Sequence, residues 1–305
     1  MGIIFVGEID FLLPVGNYLM ETAGNPVTTE PNLIQGIVQG FILGIVQGIT
    51  EFLPISSTAH LIIFRDVLNW KATWSKAAID GIQLGSVVAV VMYFWQDIRT
   101  ILGGAWLAFQ KQEWYRYEWK MLVGIAIGIF PALFGGLMLK IFNVELESSL
   151  IIAVLSIVMA ILLGLAERFG SRKRGFEEVE TRDGILVGLA QSIALLPGAS
   201  RSGSTMTTAL FIGLQRETAA RFSFLLGLPT LAIATLVQTK DVLQESQMFL
   251  PLIVGIISTF IFSYLSIAWL LKFLQSHSSW VFVWYRLGFG LVILGAIGTQ
   301  LLNNS

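Results

Sequence analysis

Two glycine-punctuated polar runs, QGIVQGFILGIVQGITEFLPISSTAH at 35–60 and LAQSIALLPGASRSGSTMTTALFIG at 189–213, lie inside segments otherwise too apolar to be surface loops. Each sets a proline and small polar residues in the middle of a hydrophobic stretch, splitting it into two arms: 34–53 with 56–66, and 183–196 with 203–213. Neither arm comfortably spans the ~20 residues that about 30 Å of hydrocarbon demands. Broken backbone at membrane depth is tolerated only where protein buries it or where it lines a polar cavity. The pattern therefore predicts two helical hairpins that dip into a bilayer and return to the side they came from.

The rest of the chain supplies the membrane frame. Of 305 residues, 55% are hydrophobic and 13% charged, against roughly 25% charged in a soluble domain, and the mean hydropathy is +0.75. Six stretches are long and apolar enough to cross as helices: 78–95, 119–140, 149–168, 219–238, 249–273 and 282–301. The fold class expected is an all-α integral membrane protein with six transmembrane helices and two re-entrant hairpins in one membrane domain, 1–305. Residues 1–33 read as an interfacial or outer-face segment with neither a cleavable signal peptide nor a myristoylation site. A formal charge of −1 offers no basic surface for nucleic acid. With no cysteine, disulfides, thiolate chemistry and Cys-ligated metals are excluded.

Charge placement predicts orientation. The connection 96–118 carries Arg99, Lys111 and Arg116, and 168–182 carries Arg168, Arg172, Lys173, Arg174 and Arg182, whereas 141–148 has no Lys or Arg. Both basic segments should be cytoplasmic. Threading six spans through that constraint makes the first hairpin enter from the outer face and the second from the inner, so the two are oppositely oriented. Weak internal similarity agrees: GIVQGITEFLPISS at 44–57 and GLAQSIALLPGASRS at 188–202 share glycine, Gln47 with Gln191, and a proline followed by hydroxyls. Inverted repeats with broken helices commonly build a site near the midplane, helix N-termini toward an anion.

In the first motif, Gln47 and Glu51 are four apart and share one helical face. Pro54 ends that helix, and Ser56, Ser57 or Thr58 can cap the next, leaving unpaired N–H groups beside the hydroxyls. His60 falls three residues after Ser57, on the same face. A hydroxyl at a positive helix end with a carboxylate and an imidazole nearby has the parts for nucleophilic attack with acid–base assistance. Ser56 and Thr58 have a second reading as plain caps, His60 as a hydrogen-bonded core histidine, and Glu51 as a structural partner of Arg201.

The second motif reads as an anion cradle. Pro197 and Gly198 break the chain, Ser200, Ser202, Ser204 and Thr205 supply donors, and Arg201 offers a planar fork suited to phosphate oxygens. Gly203 permits close backbone approach. No Walker order is present, which disfavours nucleotide hydrolysis. Arg216 and Arg221 read as inner-interface or snorkelling residues, and Asn303-Asn304-Ser305 as a chance glycosylation triplet. Together the motifs point to phosphoryl chemistry on an amphiphile: an arginine and helix-end N–H groups neutralise phosphate, a serine attacks or positions the nucleophile, and a carboxylate binds metal or moves the proton.

At these residues the chain resembles the undecaprenyl-diphosphate phosphatase family of bacterial membranes, also called bacitracin-resistance proteins. One signature matches Gln47, Glu51 and Phe52 through His60. The other matches Pro197, Gly198, Ser200 through Gly203, and Thr205, and the likeness spans 34–301, including the stretch from Gln83 to Ser86. The resemblance implies hydrolysis of undecaprenyl diphosphate to undecaprenyl phosphate, which recycles the wall-polymer carrier lipid. It also implies a site opening to the outer face of the cytoplasmic membrane, membrane lipids around a polyprenyl diphosphate substrate, and a homodimer. By the same resemblance Ser57 is the nucleophile, Glu51 a metal-binding or proton-handling carboxylate, Arg201 the diphosphate clamp and His60 an acid–base or orienting group. Gln47, Ser56, Thr58, Gln83, Ser200, Ser202, Gly203, Ser204 and Thr205 complete the substrate-binding set, and Glu51 with Gln47 are the Mg²⁺ or Ca²⁺ ligands. Many members carry Glu where this chain has Gln47, which weakens any mechanism needing two ionised carboxylates. The competing function is a transporter or flippase for a lipid phosphate or other anion, since inverted repeats with broken helices also build transporters.

Overall fold

The computed structural model describes residues 33–70, 73–142, 144, 148–242, 249–300 and 302. The head expected at 1–33, apart from Leu33, and the 303–305 triplet lie outside these residues. Among the described residues the chain is all-α. Its helices are α1 Leu33–Phe52, α2 Ser57–Val67, α3 Lys76–Tyr93, α4 Trp95–Lys111, α5 Tyr117–Ile141 and α6 Ser149–Phe169, then α7 Thr181–Gln191, α8 Arg201–Phe211, α9 Arg216–Val242, α10 Phe249–Ser276 and α11 Trp280–Gly298.

The six expected spans are α3, α5, α6, α9, α10 and α11, and all six are long and apolar enough to cross a membrane. A seventh helix also qualifies. The arm 34–53 is one unbroken 20-residue helix, α1, because no proline interrupts it before Pro54 and its glycines are each covered by a neighbour. The expectation that this arm falls short of a span is corrected on length. The other arms are short: α2, α7 and α8 have 11 residues each, and a four-residue 3₁₀ turn, Ser192–Leu195, extends α7. A second difference is the connection 96–118, most of which is α4. Its exposed Trp95, Leu102, Trp106 and Phe109 alternate with buried Ile101, Ala105 and Ala108, the two-sided pattern of an amphipathic helix.

Glycines set the packing. Gly36, Gly40, Gly44 and Gly48 of α1 lie against Pro251, Gly255, Ser258, Thr259 and Ser263 of α10, so closely that a Cβ added at Gly40, Gly44 or Gly48 would press on backbone atoms. The numbers rise together, so α1 and α10 run parallel, and Ser258 and Ser266 donate to the carbonyls of Phe41 and Ile49 along the seam. Small residues let helices approach where burial from water gives no drive. α3 joins the same direction, with Gly85 against Ile256 and Phe260 and Ser86 hydrogen-bonded to Ser263. α9 runs back against α3, placing Phe224 beside Phe94 and Thr230 and Leu231 with Gln83 on one cavity wall.

The second hairpin repeats the device elsewhere. Gly184 and Gly188 of α7 meet Gly124 and Gly128 of α5 almost backbone to backbone. Asp183, at the start of α7, is gripped by Arg174, whose carbonyl accepts from Gln215 just before α9. Gln191, at the end of α7, reaches Thr230 midway along α9. α7 therefore runs with α9 and against α1, and the two hairpins have the opposite senses expected of an inverted repeat. Outside the spans, the bond to Asp183 pushes the Arg174 guanidinium pKa above its ordinary value. Nearby, Arg216 and Arg172 converge on Glu167, and Arg221 pairs with Asp97 over the Phe176 ring; both Arg216 and Arg221 are thus held in ion pairs at the basic end.

Candidate active site

The two breaks meet in the interior. Ser56 and Ser200 both adopt positive φ, 75° and 70°, a region costly for residues other than glycine and characteristic of functional turns. Each caps the helix that follows: the Ser56 hydroxyl accepts from the Ala59 N–H at 3.4 Å and the Ser200 hydroxyl from the Gly203 N–H at 3.0 Å. The first helical residue after each cap is Ser57 in one hairpin and Arg201 in the other. The ambiguity among Ser56, Ser57 and Thr58 is thereby resolved: Ser56 is the cap and Ser57 is left for other work.

Glu51 lies between these two residues and is only 7% exposed. Its Oε2 accepts from the Ser57 hydroxyl at 2.6 Å and from Gln47 Nε2 at 3.0 Å, and its Oε1 accepts from Arg201 NH2 at 2.8 Å. The carboxylate, the hydroxyl and the guanidinium predicted from separate motifs are thus in direct contact. A charge-assisted network of this kind is favourable in a low dielectric only when its members satisfy one another. Arg201 is seated on Gly227 of α9, where a Cβ would collide with its NH1.

These groups form one end of a cavity of about 190 Å³, room for about six waters. Glu51, Ser56, Ser57, Thr58, Gln83, Ser200 and Arg201 line it, together with Gln191 and Thr230, which the motif reading did not include. The rest of the lining is apolar: Ala132, Ala194, Leu195, Leu196, Leu231 and Ala234. The repeat alignment of Gln47 with Gln191 was the available signal for Gln191; its Oε1 is buried and has no hydrogen-bond partner among the described residues.

Other candidates turn elsewhere. The Ser202 hydroxyl donates to the Leu53 carbonyl at 2.9 Å, tying one break to the other. Ser204 and Thr205 donate back to the carbonyls of Ser200 and Arg201, and Gly203 faces Arg286. His60 does not share the cavity with Ser57: its ring stacks on Phe289 at 4.3 Å, Nδ1–H donates to the Ser56 carbonyl and Nε2 pairs with the Tyr285 hydroxyl, both at 2.7 Å. For cation binding, Gln47 Oε1 is a buried oxygen with no hydrogen-bond partner, beside the Glu51 carboxylate. Among the described residues no cluster of three His, Cys, Asp or Glu exists. The oxygens here of the kind a hard cation takes are those of Glu51, which lines the cavity, and of Gln47, which is buried behind it.

Sequence comparison agrees with the geometry. The family model for the bacitracin resistance protein BacA matches residues 40–292. The undecaprenyl-diphosphatase of Thermosynechococcus vestitus is 61% identical over 248 residues, 81% of this chain and 91% of that protein. Those of Nostoc sp. and Synechocystis sp. are 52% and 51% identical, covering 93% and 82% of this chain and 89% and 78% of their own lengths. With a family model covering most of its length and relatives at this identity, the chain belongs to the bacitracin resistance protein BacA family.

Proposed function

We infer that this chain is a bacterial multi-pass membrane phosphatase that hydrolyses undecaprenyl diphosphate to undecaprenyl phosphate and inorganic phosphate. The observation that carries the chemistry is the contact of Ser57 and Arg201, from opposite hairpins, with the two oxygens of Glu51. In the reading that follows, the Ser57 oxygen attacks the terminal phosphorus while its proton passes to Glu51 Oε2. The bond from that phosphorus to the bridging oxygen breaks, and undecaprenyl phosphate leaves with the bridging oxygen. Water then cleaves the phosphoseryl bond. Arg201 spends only NH2 on Glu51, so the rest of its fork is available to phosphate oxygens, and the N–H groups at the start of α2 and α8 add positive potential. Glu51 and Gln47 Oε1 would hold a Mg²⁺ or Ca²⁺ arriving with the diphosphate. Such an ion, when bound, neutralises charge on the phosphate oxygens.

The lipid chain would leave along the apolar wall, between α5 and α9. Gln83 in the first half of α3, Ala132 in the second half of α5 and Ala234 in the second half of α9 lie on the side of the bundle's middle away from the basic segments. With those segments cytoplasmic, the cavity opens toward the outer face of the cytoplasmic membrane. His60, locked by Ser56 and Tyr285, acts as an orienting group for the Ser56 turn. Assembly as a homodimer is carried by the resemblance and is checked by light scattering in detergent. The transporter alternative is not favoured, because the relatives are named as diphosphatases and a binding site alone does not need a serine aimed at a carboxylate.

The test is phosphate release from undecaprenyl diphosphate by purified protein with Mg²⁺ or Ca²⁺, beside folded Ser57→Ala and Arg201→Ala variants. Release by the parent that collapses in both variants supports the reading. A folded parent that binds the lipid but releases no phosphate with either metal would return the transporter to first place.

A further inference from the structure

Arg286 is fully buried in α11, and its guanidinium joins parts of the chain that are far apart in sequence. NH1 donates to the Pro54 carbonyl at 3.0 Å, and NH2 donates to the carbonyls of Gly198 at 2.8 Å and Ala199 at 3.1 Å. Nε donates to the Ser156 carbonyl of α6 at 3.4 Å. Pro54 lies at the first break and Gly198–Ala199 at the second, so one rigid fork holds both. Among the described residues no carboxylate pairs with this cation. An intramembrane charge is costly, and here the compensation comes from carbonyl oxygens that the broken helices leave without partners.

We propose that Arg286 is a positioning residue for the reaction: it latches the two breaks in register so that Ser57 and Arg201 converge on one diphosphate. The inference rests on the reading of Ser57 and Arg201 as the reacting pair. Four features support it. The acceptors are the carbonyls two residues before the caps Ser56 and Ser200, Pro54 and Gly198, together with Ala199, so a shift of Arg286 acts directly on the turns that aim the functional side chains. Gly203 of α8 is kept bare beside the fork, since a Cβ there would lie 2.6 Å from NH1. Arg286 does not line the cavity, so it acts through the turns. Finally, a lysine keeps the charge but has no planar fork to span three carbonyls.

The experiment compares Arg286→Lys and Arg286→Gln with the parent, Ser57→Ala and Arg201→Ala, all in detergent with undecaprenyl diphosphate. Because the chain has no cysteine, single cysteines at exposed Phe64 and Phe211 can carry spin labels that report the distance between α2 and α8. For both Arg286 variants, kcat should fall about 100-fold, the scale of a 1 Å misplacement. KM should move less, and the label distance distribution should broaden. Gly203→Ala, which displaces the fork without removing it, should do the same and serves where an Arg286 variant does not fold. A kcat within threefold of the parent, or a loss of kcat with an unchanged distance distribution, overturns the latch. Full activity in Ser57→Ala or Arg201→Ala would instead overturn the site reading beneath it.

Discussion

At Ser56 and Ser200 the chain makes nearly the same turn, with φ 75° and ψ 97° at one and φ 70° and ψ 118° at the other, yet Ser57 follows the first and Arg201 the second. The backbone is common to both hairpins and the chemistry is not. Each break offers a strained cap and a helix N-terminus, a generic anion seat. The first hairpin adds a carboxylate and a hydroxyl, and the second adds a cation. The lesson is that an inverted repeat can place two different functional groups in equivalent positions facing one another, so that neither half is a site alone.

The largest test of that division removes the unique group from each side. Ser57→Ala takes away the proposed nucleophile and Arg201→Ala the proposed clamp. In a covalent mechanism the first should cost roughly 10⁴-fold or more in kcat. The second should cost about 10³-fold, shared between kcat and KM. Single-turnover phosphate release separates them. Equal losses confined to KM would mean that both hairpins serve only binding. Next in size is Glu51→Gln, which keeps the shape of the hub and removes its charge. Losing the acceptor for the Ser57 proton should lower kcat about 10²- to 10³-fold, with the protein still folded. Activity within threefold of the parent would assign Glu51 to structure.

Legibility followed chemistry more closely than packing. Glu51, Ser57 and Arg201 stood out because charged and hydroxylic residues in apolar segments are expensive, and their spacing around proline marked the breaks. Arg286 stood out less, because it follows Trp284 and Tyr285 near the start of a span, where an arginine is usually read as an interfacial anchor. Only the fold shows its guanidinium turned inward onto the carbonyls of Pro54, Gly198 and Ala199. Likewise, Ser202, Ser204 and Thr205 are hydroxyls in the right motif, and no pattern reveals that they bond backbone while Thr230 faces the cavity. The direction and extent of α1 were readable, 34–53 against Leu33–Phe52, but the close seam with α10 that its glycines permit was not.

A smaller effect tests the seat of the clamp. Gly227 of α9 lies against Arg201, and a Cβ at 227 would strike its guanidinium. Gly227→Ala should therefore swing Arg201 off Glu51 and raise KM, with kcat/KM falling about 10- to 100-fold. Thermal stability should hardly change, because a side-chain tip yields more easily than backbone. On the α3 side of the cavity, Gln83→Ala leaves Ser57 and Glu51 in place and should act on KM alone. A Gly227→Ala variant with parental kinetics would show that Arg201 works from a different rotamer.

The smallest expected difference lies in the caps themselves. Removing a cap hydroxyl costs about 1 kcal/mol, and glycine at the same position costs only a few tenths. Positive φ adds to the alanine penalty, because alanine keeps the Cβ that makes this backbone unfavourable and glycine does not. At each break the glycine variant should therefore be more stable than the alanine variant, by about 1 kcal/mol. The two breaks should also differ: the Ser200 cap bond is 3.0 Å and the Ser56 bond 3.4 Å, so Ser200→Ala should lose more than Ser56→Ala. Denaturant unfolding of the four single variants in detergent measures this ordering. If alanine proves at least as stable as glycine at both positions, the strained turn is not a property of the folded protein. If only the difference between the breaks vanishes, the turn stands and the two caps are energetically equal, leaving the asymmetry between the hairpins to Glu51, Ser57 and Arg201.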